Sequence, residues 1–251
     1  MEIIVATKNR GKIREIRKAL RGLGLKIYSL SDFSDVPEIV EDGKSFTENA
    51  LKKARFYSKY FKKLTRSTAP SPPLEDGAEK RRSELALSEV EGLTIADDSG
   101  LEVDMLKGWP GIYSARYAGE GASDRKNNQK LLSEMEGIRI SKRGARFKCV
   151  LAMVSTDGRE AVAEGSCRGR IGFREMGRKG FGYDPIFMLP QYGKAMAQLT
   201  LEEKNRVSHR GKALKKLRKI IAKFYPNIFE NSPHPSPLPS EEREGVRGHK
   251  M

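Results

Sequence analysis

Residues Leu93–Val103 read Leu-Thr-Ile-Ala-Asp-Asp-Ser-Gly-Leu-Glu-Val. No other stretch constrains the fold as much. A short apolar run ends in two adjacent carboxylates, a hydroxyl and a glycine. Apolar residues favour burial, whereas paired carboxylates resist it unless cations or hydrogen-bond donors compensate them. The chain must therefore bring such groups to the end of a buried strand, or leave that end in water. Two readings fit. One is an Asx-type turn after a strand, with Gly100 supplying the unusual backbone angles. The other is a site in which Asp97, Asp98 and Ser99 offer oxygens to a hard cation such as Mg²⁺ and its phosphate ligand.

The bulk composition narrows the partners. The chain has 251 residues, 37% of them hydrophobic, and a formal net charge of +15. That is enough apolar content for a core, and the positive field attracts polyanions, whether nucleotide, nucleic acid or acidic membrane. Cys149 and Cys167 are the only cysteines, too few and too far apart for a zinc framework or disulfide scaffold, so a reducing compartment is expected. The opening residues Met1–Ala6 do not have the form of a signal peptide, and no apolar run approaches the ~20 residues of a membrane span. The expectation is a soluble cytoplasmic protein without a membrane partner.

Two segments stand apart. Thr65–Gly92 and the last 21 residues together hold seven of the twelve prolines and little apolar content. Neither buries enough apolar area to offset its ordering cost, so both are expected to be disordered. A short helix over Ser83–Val90 is the one local pattern within them. The insert carries a net charge of −2 and the tail none, which leaves the body at +17. The expected organisation is one domain over 1–230, interrupted by the 65–92 insert and followed by a Pro-rich tail over 231–251.

The body reads as strands and helices without regular alternation. Glu2–Ala6 is an apolar strand, and Thr7–Lys12 a polar turn with a glycine and a lysine. Ile13, Ile16, Ala19, Leu20 and Leu23 then follow at helical spacing. Strand, glycine-bearing turn and helix is the layout that aims backbone N–H groups at an anion. The turn is not a Walker loop, and an ordinary strand–helix connection has the same pattern. Ser45-Phe46-Thr47-Glu48 opens a helix as a capping box, with Ala50, Ala54, Tyr57, Phe61 and Leu64 on its buried face. A helix is expected from Ser123 through Met135, and strands over Ala145–Ser155 and Ala161–Ile171. Thr200-Leu201-Glu202-Glu203 caps one final helix that buries Val207, Leu214, Leu217, Ile221 and Phe224. The expected class is α/β, with a mixed central sheet flanked by helices.

Several side chains stand out against bland alternatives. His209 is the only histidine before the tail, set between Lys204 and Arg210, and reads as a structural histidine or part of a phosphate- or base-binding cluster. Gly211 marks a break or a close approach, since glycine inside a helix costs about 1 kcal/mol. Phe181, in a glycine-flanked loop, is a core aromatic or a stacking platform for a nucleobase. Glu41 is a turn carboxylate or a second metal ligand beside Asp98. Cys149, in a buried strand, reads as inert.

In order along the chain, Ala6-Thr7-Lys8-Asn9-Arg10-Gly11-Lys12, Phe46-Thr47-Glu48-Asn49-Ala50, Ile95-Ala96-Asp97-Asp98-Ser99-Gly100-Leu101, Pro110-Gly111-Ile112-Tyr113-Ser114-Ala115-Arg116-Tyr117, Phe181-Gly182-Tyr183-Asp184-Pro185 and Ser208-His209-Arg210-Gly211 resemble the motifs of one family. It is the inosine/xanthosine triphosphatase family, the pyrophosphatases of non-standard purine nucleoside triphosphates. The resemblance covers roughly 1–64 and 93–224. It departs at Lys8, where the usual motif has glycine.

The resemblance implies a two-lobed α/β fold with a cleft between the lobes. It also implies hydrolysis of ITP, dITP and XTP to monophosphate and pyrophosphate with Mg²⁺. Asp98 would be general base and metal ligand, and Glu41 a second metal ligand. Lys12 and Lys53 would hold the triphosphate within the turn Thr7, Lys8, Asn9, Arg10 and Gly11, and Ser99 would contact substrate. Phe181 would stack on the base, with Gly182, Tyr183 and Asp184 around it, and Lys204, His209 and Arg210 would read the purine. A homodimer is implied as well. The alternative from another class is a basic nucleic-acid-binding protein; it rests on net charge alone, and no stable nucleic-acid partner is expected. A related enzyme reading is a Maf-type pyrophosphatase, a group that lacks the Ser-His-Arg-Gly sequence found here.

Overall fold

The computed structural model describes residues 1–67 and 92–226, apart from the side chains of 64–67. The expectations for the proline-rich tail, for the 83–90 helix and for most of the 65–92 insert lie outside the described residues, as does the burial of Leu64. Among the described residues, no helix is long and apolar enough to cross a membrane.

Among the described residues, seven strands form one mixed sheet in the order β2-β1-β3-β4-β5-β6-β7. Strand β1 (Glu2–Ala6) lies parallel to both β2 (Lys26–Ser29) and β3 (Leu93–Val103). Strands β4 (Gly144–Ser155), β5 (Glu160–Ile171), β6 (Phe187–Leu189) and β7 (Lys194–Ala195) continue the sheet antiparallel. The α/β mixed sheet with flanking helices is therefore as expected.

Helix α1 (Arg10–Ala19) and helix α5 (His209–Phe224) cover one face, where Ile3, Val5, Ile16, Ile95, Leu151, Leu214 and Ile221 are fully or almost fully buried. Helix α2 (Phe46–Ser67) covers the opposite face with Ala50, Ala54, Tyr57 and Phe61 against Ala96, Val150 and Ala152. Ser45 caps α2, its Oγ accepting from the Glu48 N–H at 3.1 Å. A third cluster surrounds Leu101, Phe147 and Phe187 and packs on helix α3 (Asp124–Glu134), which Ser123 caps.

Two local expectations are corrected. The Asp97-Asp98-Ser99-Gly100 segment is not a strand end: β3 runs through it, and β4 pairs with it from Leu93 to Val103. Gly100 supplies no left-handed turn. Its missing Cβ instead admits the Gly111 carbonyl, which would otherwise collide. The last helix is two helices, α4 (Leu201–Val207) and α5, meeting at Ser208. Ser208 is extended and caps α5 through its Oγ, which accepts from the Gly211 N–H at 3.1 Å. A Cβ on Gly211 would collide with the Asn205 carbonyl, so the elbow requires glycine there.

Candidate active site

The site forms where β1 stops. Its pairing with β3 ends at Ala6↔Ala96, so the next residue of β3, Asp97, has no strand on that side among the described residues. The carboxyl ends of parallel strands are where open α/β sheets bind ligands. Two lysines enter the gap. Lys12 Nζ from α1 and Lys53 Nζ from α2 donate to the same Asp97 carbonyl oxygen, at 3.4 and 3.3 Å.

Successive residues of a strand face opposite sides of the sheet, and this separates the two aspartates. Asp97 is fully buried on the α1/α5 side. Its carboxylate meets Lys12 Nζ at 2.5 Å and Arg210 Nε at 2.7 Å, and accepts from Ser99 Oγ at 2.8 Å. Burial pushes its pKa up, but the charges of Arg210 and Lys12 and their hydrogen bonds outweigh that and hold it well below the usual range. Burial lowers the Lys12 pKa, and Asp97 more than reverses the effect. Both groups stay charged.

Asp98 faces α2. It is 7% exposed, and among the described residues its Oδ2 has no hydrogen-bond partner. Burial is the main force raising its pKa to about 6; Lys12 and Lys53 oppose the shift, while Glu41 adds to it. Asn49 donates a hydrogen bond to the carboxylate and lowers the pKa slightly. Glu41 pairs with Lys53, and its backbone carbonyl accepts from Arg116 Nη2 at 3.3 Å. An orphaned buried carboxylate oxygen with a second carboxylate nearby fits a hard divalent cation. Among the described residues no three His, Cys, Asp or Glu side chains converge as a metal cage. Mg²⁺, however, commonly uses one or two carboxylates and takes its other oxygens from water and substrate phosphates.

The Thr7–Lys12 turn leads from β1 into α1. Asn9 caps the helix, its Oδ1 accepting from the Lys12 N–H at 3.0 Å. Thr7 is buried and its Oγ1 accepts from the Asn9 N–H at 3.1 Å. Lys8 and Arg10 are exposed, and Lys8 pairs with Glu38 at 3.0 Å. Among the described residues only Asp35 and Lys107 combine a side chain with positive φ. Lysine at position 8, where the family motif has glycine, therefore strains nothing.

The second half of the site surrounds Phe181. Its ring lies on Gly11, where a Cβ would strike it. Lys204 Nζ sits 4.6 Å and the Arg210 guanidinium 5.4 Å from the ring centroid. Gly182 adopts φ +60°. Tyr183 is buried, its hydroxyl donating to the Ser114 carbonyl at 2.9 Å. Asp184 accepts from the Phe181 N–H at 2.9 Å and pairs with Lys204. Burial raises the Asp184 pKa, with Lys204 opposing it. His209 is buried and stacked on Phe147 at 4.5 Å, and its Nδ1 has no partner among the described residues. Burial, then Arg210 and Lys204, hold its pKa well below 6.5, so it is neutral.

Sequence reasoning missed Glu15. It is buried between Lys204 at 2.6 Å and Arg210 at 2.7 Å. Burial raises its pKa, but the two cations outweigh that and lower it. The signal was slight: a carboxylate three residues after Lys12, between Ile13 and Ile16 in sequence but at the edge of the apolar stripe of α1. The structure thus brings Lys12, Lys53, Glu41, Asp98 and Ser99 together around the β1 gap. Phe181, Gly182, Asp184, Lys204 and His209 gather at the other end of α1's first turn. Arg210 lies inside the core between the two groups.

Cations at the end of a parallel strand, facing a carboxylate with one unpartnered buried oxygen, define an anion-binding α/β protein equipped for hydrolytic chemistry. The model of the Ham1 family matches residues 3–220, and the chain belongs to that family. It is 44% identical over 227 residues to a dITP/XTP pyrophosphatase of Desulforamulus reducens, covering 90% of this chain and 98% of that one. A dITP/XTP pyrophosphatase of Geobacter sulfurreducens is 45% identical over 217 residues, covering 86% and 94%. Among solved structures, a HAM1 protein from Coxiella burnetii superposes with a TM-score of 0.68 at 35% identity, covering 89% of this chain and 99% of that one. The Staphylococcus aureus Ham1 protein has the same TM-score and identity, with 89% and 100% covered.

Proposed function

We propose that the chain hydrolyses dITP, XTP and ITP to the monophosphate and pyrophosphate, with Asp98 as general base and with Mg²⁺ held by Asp98, Glu41 and the substrate's phosphates. The enzyme is a hydrolase of the nucleotide pool acting on a triphosphate anhydride bond. One observation carries the residue assignment: Asp98 Oδ2 is buried and unpartnered, beside two lysines that share one carbonyl oxygen. The catalytic domain spans 1–230 apart from the 65–92 stretch.

Lys12 and Lys53 bind the triphosphate, helped by the free N–H groups at the start of α1. Their charges are already set in place, so little reorganisation accompanies the rise in phosphate charge. Asp98, with a pKa near 6, is ionised at neutral pH and takes the proton from the attacking water at its carboxylate. Bound Mg²⁺ supplies further charge neutralisation on the phosphates and orients the reacting oxygens.

Phe181 offers a π-face to the purine. Lys204 and His209 carry the polar contacts to it. Arg210 is committed to Asp97, Glu15 and Ser99, so it acts by holding those groups. A 6-carbonyl accepts from the Lys204 ammonium, whereas the 6-amino group of adenine would meet it donor to donor; such buried mismatches discriminate strongly. The protein works in the cytoplasm as a homodimer, and sedimentation velocity tests the oligomeric state.

The test of the chemistry is pyrophosphate release from dITP with Mg²⁺. Asp98→Asn should lose it by a factor of about 10³ or more, in the range of a lost general base and metal ligand. Its circular dichroism should be unchanged. Activity within tenfold of the parent overturns the assignment of Asp98.

A further inference from the structure

We infer that Asp124 and Asn128, on the first two turns of α3, are positioning residues that clamp the Gly182 peptide and so fix the base-facing loop Phe181–Asp184. The inference rests on the reading of Phe181 as the platform for the purine.

Gly182 is held at both ends of its backbone. Its N–H donates to Asp124 Oδ2 at 2.6 Å, and its carbonyl accepts from Asn128 Nδ2 at 3.2 Å. The two side chains lie four residues apart, on one face of α3. Asn128 is 2% exposed, and its Nδ2 also reaches Glu175 Oε1 at 3.2 Å. Its amide orientation is thereby set, because a flipped amide would point oxygen at two acceptors. The rest of the loop is closed on itself. The Phe181 N–H goes to the Asp184 carboxylate, and the Asp184 N–H goes to the Phe181 carbonyl at 3.2 Å.

Gly182 has φ +60°, a conformation glycine adopts freely and leaves freely. Without the clamp, nothing on the glycine itself would hold the peptide there, and ordering a free loop costs binding energy at every encounter with substrate. The clamp makes the Phe181 ring ready before the purine arrives. It touches neither the β1 gap nor the lysines. Its loss should therefore weaken recognition of the base and spare the triphosphate half of the site.

The experiment compares Asp124→Ala, Asp124→Asn, Asn128→Ala and Phe181→Ala with the parent in full-length protein. It measures dITP hydrolysis, inhibition by inorganic tripolyphosphate, thermal melting and hydrogen exchange at Gly182. For the two alanine variants on α3, KM for dITP should rise about tenfold, the effect of losing one or two hydrogen bonds that hold a loop. Their kcat should stay within about twofold, the inhibition constant of tripolyphosphate should not move, and exchange at Gly182 should quicken. Asp124→Asn should restore KM, since its amide oxygen still accepts from Gly182. A parental KM and parental Gly182 exchange in Asp124→Ala would overturn the clamp. So would a parallel loss of tripolyphosphate binding and melting temperature, which marks a general structural role. If Phe181→Ala leaves KM for dITP unchanged, the base-platform reading fails by itself, and exchange at Gly182 still decides the clamp.

Discussion

Asp98→Asn carries a second expectation, independent of catalysis. The Asp98 pKa stands at about 6 against an ordinary 3.8. At roughly 1.4 kcal/mol per unit, the folded protein gives up ~3 kcal/mol by keeping this carboxylate ionised. The sign follows from proton linkage. The folded state holds the Asp98 proton more tightly than the unfolded chain does, so this contribution to stability is complete below pH 3.8 and is lost as pH rises through 6. Asparagine has nearly the same shape and no charge to lose. In EDTA at pH 8, Asp98→Asn should therefore be more stable than the parent by ~3 kcal/mol, about half of which remains at pH 5 and almost none at pH 3. For a chain of this length that is a melting-temperature rise of roughly 6–12 °C. Urea unfolding followed by circular dichroism at the three pH values measures it. Excess Mg²⁺ should narrow the gap at pH 8, because only the parent has the ligand, and binding to the folded state stabilises it. A variant no more stable than the parent at pH 8 in EDTA refutes the claim that the buried Asp98 charge is incompletely compensated.

Arg210→Met should cost about 3–5 kcal/mol in chemical denaturation, because Asp97 and Glu15 each lose a buried partner and the remaining cluster carries a net negative charge; a loss under about 1 kcal/mol would contradict the ion-pair geometry. Gly211→Ala should cost about 3 kcal/mol, the upper end of overpacking, by driving a methyl into the Asn205 carbonyl, and an unchanged melting curve would show that the elbow can relax. Cys149 and Cys167 are buried free thiols with raised pKa values. Neither should react with a disulfide reagent at pH 8 until the protein is unfolded, and rapid labelling of the native protein would count against their burial.

What could be read from the sequence was local. Thr200 and Ser45 announce their helices because a cap is made with residues three positions away. Strands β1, β4 and β5 announce themselves by unbroken or alternating apolar content. Asp97 and Asp98 misled because their compensation is distant. The strand continues through them only because β4 satisfies the backbone on one side and Lys12, Lys53 and Arg210 meet the charges and carbonyl from three helices. The division at Ser208 was half legible: Gly211 signalled a close approach, but the residue it approaches, Asn205, belongs to the neighbouring helix α4. Strands β2, β6 and β7 are 2–4 residues long, too short to show a period. Asp124 and Asn128 look like ordinary polar residues of an exposed helix until Gly182 is placed beside them.

The two halves of the site are joined by charge. Lys12, Asp97, Arg210, Glu15, Lys204 and Asp184 form an unbroken alternating series of ion pairs. The series links the lysine at the β1 gap to the loop that carries Phe181. Its members come from α1, β3, α5, α1 again, α4 and the loop. With all six ionised, its formal charge is zero, so no net charge is buried, yet removing any interior member takes a partner from each of two neighbours and leaves a net buried charge. Such networks contribute little net stability compared with a well-packed apolar core of the same volume. What this one supplies is position. Glu15 and Lys12 lie one turn apart on α1, so the helix sets the distance between the β1 gap and the Phe181 loop, the ends proposed for the triphosphate and the purine. On that proposal, a substrate that fits one end is held in register with the other, and a short α1 beside a strand that stops at Ala6 becomes the measure of a nucleotide.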